Sequence, residues 1–251
     1  MIKVGQKKKA KYWGRKQDLD DDKEVDLDES EAVYYERYQK QLKSGESSKR
    51  LEESHDKPIP ILQEYLIRPH QKIDPRKTSE LEVIIKTAND ERPIQEFLKN
   101  NPYFLTRKTF AHHGQICIPK PKLGAEYEPD FLIAGVDSGG LWWYGVELES
   151  PKYSMFTKKG EITSHLNHAL RQIDDWRGWT RENIAYAQKQ YMHIDGDLAC
   201  YVLIGRRENE ELTEKKLVAR RREVARKDKS GLILHHYEWL LDDIPRRVRV
   251  K

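Results

Sequence analysis

The stretch "DLACYVLIGRR", residues 197–207, is apolar without a break from Leu198 to Ile204. A strand of that composition has no polar side to give to water, so it must be covered on both faces and sit in the middle of a sheet. That requirement points to a layered fold with helices over strands. The flanking segments supply the layers. "TSELEVIIKTAND" has Ser/Thr caps and helical apolar spacing, and "DERPIQEFLKNNPYFL" opens a second helix with Asp90 as its N-cap and Pro93 in its first turn. Ile94, Phe97 and Leu98 form the buried face of that helix, and Asn100-Asn101-Pro102 ends it. "TFAHHGQICIPK" reads as a strand, a hairpin follows, and a long helix is expected from about residue 161 to 190. After the apolar strand come a charged helix (about 212–227), a short strand "GLILHHY" and a last helix "EWLLDDIPRRV". The order helix, three strands, helix, strand predicts an α/β fold with a mixed central β-sheet flanked by helices.

The first third reads differently. Residues 3–16 carry only basic charges, residues 18–31 are crowded with acids, and "HDKPIPILQEYLIRPHQKIDPRK" holds four prolines. Like-charge blocks repel themselves and prolines remove backbone donors, so this part reads as a charged N-terminal extension with linker or strand-like pieces. "EAVYYERYQKQLKS" has the composition of a short helix within it. The expected division is an extension over residues 1–77, partly flexible or docking on a partner, and a folded domain over residues 78–251.

Composition bounds the function. The chain has 46 Lys+Arg against 42 Asp+Glu and a formal net charge of +4, so a nucleic-acid partner is allowed without being demanded. Its two cysteines, Cys117 and Cys200, lie in strand-like stretches without metal-binding or redox spacing, which fits a reducing cytoplasm. The basic N-terminus lacks the apolar core of a secretory signal, and no apolar run has membrane-spanning length.

The hairpin "EPDFLIAGVDSGGLWWYGVELESPK", residues 128–152, carries the chemistry. A turn centred between Ser138 and Gly139 sets Asp130 opposite Glu147. Side chains alternate along a strand, so Glu147 and Glu149 share one face while Val146 and Leu148 pack on the other. Three acids thus converge, and like charges opposed across a sheet are destabilising. The offset comes either from a hard divalent ion such as Mg²⁺ or Mn²⁺, with the Leu148 carbonyl as an extra ligand, or from an Arg or Lys elsewhere. The next helix has a buried stripe of Ile162, Leu166, Ala169, Ile173 and Trp176, with His165, His168 and Gln172 beside it. A helix packed on the sheet could hold Gln172 over the carboxylates, while the two histidines read as edge-of-core residues. In "KKLVARRREVARK", Arg220, Arg221, Arg222 and Arg226 are the richest candidates for phosphate contacts, beside the plainer reading of a solvated amphipathic helix with Leu217 and Val224 buried. Trp142, Trp143 and Tyr144 read as core or subunit-interface residues.

"PDFLI", a turn and "VELE" after a helix resemble the bipartite motif of the PD-(D/E)xK nuclease superfamily. The ordered set "ERPIQEFLKNNPYFL", "EPDFLI", "VELESPK", "ALRQIDDW", "YVLIGRR" and "HHYEWLLDDI" is similar, over about residues 78–244, to the Shedu family of bacterial anti-phage defence nucleases. The resemblance implies a restriction-endonuclease-like core, metal-dependent cleavage of double-stranded DNA and assembly as a homo-oligomer. It casts Asp130 and Glu147 as the metal-binding pair, Glu96 as an assisting acid and Gln172 as a residue near the site. At one position the chain departs from the pattern. Glu149 stands where the superfamily has a lysine, which leaves three expectations: a cation from elsewhere, with Lys152, Lys158 or Lys159 nearest in sequence; a metal ligated by Glu149 itself; or a fold kept without activity, as a DNA-binding or regulatory module.

Overall fold

The computed structural model describes residues 64–67, 73–109, 114–137, 140–242 and 244. The expected helix at residues 31–44 and the end of the last helix, beyond Ile244, lie outside these. In chain order the elements are β1 (Leu66–Ile67), α1 (Pro75–Thr87), α2 (Arg92–Asn100), α3 (Tyr103–Thr106), β2 (Gly114–Pro119), β3 (Phe131–Asp137), β4 (Gly140–Leu148), α4 (Ser164–Glu182), α5 (Ile184–Gln190), β5 (Ala199–Leu203), α6 (Glu214–Lys227) and β6 (Leu232–His235), with a 3₁₀ turn at Tyr237–Leu241.

The strands make one six-stranded sheet in sequence order. β1 to β4 pair antiparallel, and β4, β5 and β6 run parallel. The fold is therefore α/β with a mixed sheet, in line with the order of elements read from the sequence. The hairpin register is the expected one: Phe131 pairs with Val146 and Asp137 with Gly140, which sets Asp130 against Glu147 one step beyond the ladder. β5 is interior and buried, but it is one strand from the edge rather than at the centre, because β6 adds only a single strand beyond it.

Period-two alternation divides the core in two. Leu132, Ala134, Trp143, Cys200, Val202 and Leu234 face α4, α5 and α6, where Leu166, Ala169, Ile173 and Trp176 meet them. Phe131, Ile133, Val146, Leu148, Tyr201 and Leu203 face α1 to α3, against Leu81, Ile85, Ile94, Phe97 and Leu98. Full burial of each such side chain contributes roughly 1.5–3 kcal/mol, so the two layers clamp the sheet between them.

Four local expectations change. α1 is capped by Asp74, whose side chain accepts from the Arg76 N–H, rather than by the Ser/Thr of "TSEL". At α2 the cap position is Glu91, while Asp90 accepts from the Arg92 N–H one residue earlier. Ile162 precedes α4 and is 37% exposed, so it is not part of that helix's stripe. The long helix also breaks at Asn183, where α4 gives way to α5.

Candidate functional site

Five strand ends meet at one edge of the sheet. The antiparallel pairing of β2, β3 and β4 puts the end of β2, the start of β3 and the end of β4 together, and the parallel pairing adds the ends of β5 and β6. In open α/β sheets such an edge, outside the carboxyl ends of the parallel strands, is where ligands bind.

Asp130 and Glu147 sit there, each only 6% exposed. Asp130 is held from three directions. Its Oδ2 accepts from the Leu148 N–H at 2.8 Å, and its Oδ1 accepts from Lys120 Nζ at 2.6 Å and from the Gln95 side-chain amide. Glu147 has no such cradle. Burial pushes its carboxyl far above the usual carboxylate range, the charges of Asp130 and Glu149 push it further, and only Lys120 and a hydrogen bond from Gln172 pull it back. Gln172 also keeps its Oε1 buried without a partner among the described residues. An unsatisfied buried oxygen next to an under-compensated carboxyl is the surroundings a bound water or cation would complete.

Glu149 lies one step outward on the same face. Its Oε1 is 3.0 Å from His168 Nδ1, and its Oε2 is 4.0 Å from His165 Nδ1. The His165 ring stacks on Tyr153 at 3.5 Å between centroids, which fixes it in place. Burial raises the Glu149 carboxyl and the two imidazoles oppose the rise. The backbone of Glu149 is fixed as well: its N–H donates to the Leu203 carbonyl at 2.9 Å, and the buried Tyr237 hydroxyl donates to its carbonyl at 2.6 Å. The two histidines are thus partners of Glu149 rather than bystanders at the core edge.

The residues singled out in the sequence separate into two groups. Asp130, Glu147, Glu149 and Gln172 come together, with Leu148 present through its N–H. Glu96 does not join them: its side chain is 65% exposed, near Lys99 and hydrogen-bonded by Asn100, and the neighbouring Gln95 is the α2 residue that reaches Asp130. A rotation of about 100° around the helix axis separates the two, which sequence spacing does not resolve. Lys152 is exposed and its charge acts on Asp90; Lys158 pairs with Glu211. Among the described residues the cation bonded to Asp130 is Lys120, directly after β2.

The arginines of α6 are split as well. Arg220 is held by Glu223 and lies over the Phe156 ring, and Arg221 is half-buried beside Arg207 and Glu210. Arg222 and Arg226, one turn apart, are exposed. Leu217 and Val224 are buried as expected. Trp143 is core, whereas Trp142 is 53% exposed.

Residues 88–234, from the end of α1 through most of β6, match the family model for the Shedu protein SduA, C-terminal. The chain belongs to the Shedu family. The match spans more than half of the chain and includes Gln95, Lys120, Asp130, Glu147, Glu149 and Gln172. No curated protein matches the chain.

The residues present fit a hard divalent ion. Mg²⁺-type sites use one or two carboxylates and fill the remaining positions with water and substrate phosphate, so two carboxylates and a backbone oxygen suffice. Among the described residues no group of three or more His, Cys, Asp or Glu side chains is placed to hold a metal ion, so an ion here would depend on the Asp130 and Glu147 pair with water and substrate oxygens. An open pair is what such an ion needs when the substrate is itself a phosphate ester. Among the described residues no helix is long and apolar enough to cross a membrane.

Proposed function

We propose that this protein is a metal-dependent DNA endonuclease that acts in anti-phage defence. Membership of the Shedu family supports the defence role. The observation that carries the enzymatic reading is the pairing of two buried carboxyls, Asp130 and Glu147, at the ligand-binding edge of the sheet, with the Glu147 carboxyl raised until a further cation offsets it.

Asp130 and Glu147 would hold Mg²⁺ or Mn²⁺, with the Leu148 carbonyl as a further oxygen. The ion, when bound, polarises the phosphodiester and lowers the pKa of a water. Leu148, Gln95 and Lys120 fix the Asp130 carboxylate, so it is oriented before substrate arrives and little reorganisation remains for the reaction. Gln172 orients Glu147 through its amide and offers its unpaired Oε1 to a water proton. Double-stranded DNA would be held through its phosphates, with Arg222 and Arg226 on the exposed face of α6 as contacts. Family resemblance adds assembly into homo-oligomers, which sedimentation would read directly.

The test is incubation of supercoiled and linear DNA with the protein in Mg²⁺, Mn²⁺ or chelator. Wild type should nick or cut in either metal, and Asp130→Ala and Glu147→Ala should not. One observation favours a second reading. Glu149 is locked to His168 where the motif has a lysine, as expected of a nuclease fold retained for DNA binding alone. Salt-sensitive DNA binding without cleavage in any metal would establish that reading instead.

A further inference from the structure

We propose that Lys120 supplies the cation that the nuclease motif places two residues after its glutamate, so that the ammonium reaches the scissile phosphate from β2 instead of from β4. The inference rests on the nuclease reading above and names a further catalytic residue for it.

Three observations carry it. Lys120 Nζ is 2.6 Å from Asp130 Oδ1, and its charge also lowers the Glu147 carboxyl, so the ammonium sits on Asp130 within electrostatic reach of Glu147. Its side chain is 44% exposed against 9% for that of Asp130, which puts the ammonium at the mouth of the site. An ammonium has three donors; one goes to Asp130, and the exposed position turns the others outward, where a phosphate would lie. Finally, the backbone at Lys120 is left-handed, with φ 48°, a conformation that costs roughly 1–2 kcal/mol for a residue with a Cβ. The strand pairing nevertheless continues through it, because the Lys120 N–H donates to the Asp130 carbonyl at 2.9 Å. A strained lysine held by main chain and side chain to the same aspartate is the kind of arrangement found where a site fixes a side chain.

Two of the lysines nearest in sequence are placed elsewhere. Lys152 acts on Asp90 and Lys158 on Glu211, while position 149 holds a glutamate engaged by His168. In hydrolysis the water oxygen bonds to phosphorus, the ester P–O bond breaks, and its electron pair leaves on the alcohol oxygen, which ends with a proton in place of the one the water lost. The non-bridging oxygens gain negative charge on the way. Lys120 would meet that charge through its outward N–H donors and hold the incoming water beside Asp130.

The experiment compares single-turnover cleavage of a supercoiled plasmid by wild type, Lys120→Met, Lys120→Arg and Lys120→Met/Glu149→Lys, with Mn²⁺ titrated into each by calorimetry. Lys120→Met should slow cleavage by at least about 100-fold, while Mn²⁺ binds as tightly as to wild type or more so, since the ammonium competes for Asp130. Lys120→Arg should lose less, and the double variant should recover part of the loss. Wild-type cleavage matched by Lys120→Met would overturn the inference and leave the nuclease reading standing. Weakened Mn²⁺ binding in proportion to lost cleavage would also overturn it, by reducing Lys120 to a part of the metal site. No cleavage by wild type would end both.

Discussion

His168 Nδ1 lies 3.0 Å from Glu149 Oε1, so the third carboxyl of the site is tied to α4 and not left as a stray charge. A glutamine can keep that hydrogen bond while removing the charge. Glu149→Gln should therefore keep cleavage within about tenfold of wild type, a change of about 1.4 kcal/mol in the barrier, whereas Asp130→Ala should abolish it. Equal losses in the two variants, measured as single-turnover rates, would make Glu149 a full member of the metal site.

Arg222 and Arg226 point from the exposed side of α6, while Arg220 and Arg221 are occupied or half-buried. Removing one phosphate-binding side chain should lower the slope of log affinity against log salt by about 1. Arg222→Ala/Arg226→Ala should flatten the slope by about 2 and weaken binding equally on unrelated sequences. An unaltered slope in fluorescence anisotropy would move the DNA surface off this helix.

His235 stacks on Trp239 at 4.4 Å with the rings nearly parallel, and burial together with the charges of Arg221, Lys108 and His236 lowers its pKa to about 4 against the opposing Asp242. The neutral ring is the form the fold accepts. The unfolded chain takes up the proton first, near pH 6.5, so this stabilisation is complete above that value and is lost as pH falls through about 4. Thermal melts should show a decline in wild type over that window, and His235→Phe, which keeps the stack, should remove that share of it. A decline of the same size in both would place the acid sensitivity elsewhere.

Gly205 follows β5 with φ 71°, and a Cβ there would fall 2.2 Å from the Tyr153 carbonyl oxygen. Glycine is what lets the loop after β4 close against the end of β5, beside Glu149 and His165. Gly205→Ala should cost about 3 kcal/mol or more from combined backbone strain and overlap. Urea unfolding would measure it, and a cost below about 1 kcal/mol would mean that the loop can shift without loss.

The hairpin is legible in the sequence because period-two alternation and a Ser-Gly turn fix a register, and Phe131 pairs with Val146 as that register requires. Asp130, Glu147 and Glu149 follow from it, and Gln172 follows from the family resemblance together with its place beside the buried stripe of α4. What escapes the sequence comes from contacts between distant elements. Lys120 meets Asp130, ten positions further on, across a connection whose path no local pattern sets, although β2 reads as a strand with Lys120 at its end. Gln95 cannot be told from Glu96 by spacing, because a helix's rotation about its axis is set by packing. Tyr237 reads as the end of the strand "GLILHHY", but it opens a 3₁₀ turn and its hydroxyl donates to the Glu149 carbonyl.

The most direct measurement is a calorimetric titration of Mn²⁺ into wild type, Asp130→Ala and Glu147→Gln at neutral pH. The metal cradle predicts binding to wild type that either substitution removes, with proton release in wild type as the raised Glu147 carboxyl ionises on meeting the ion. Equal binding by all three proteins would contradict it, and the two buried carboxyls would then have no part in holding a metal.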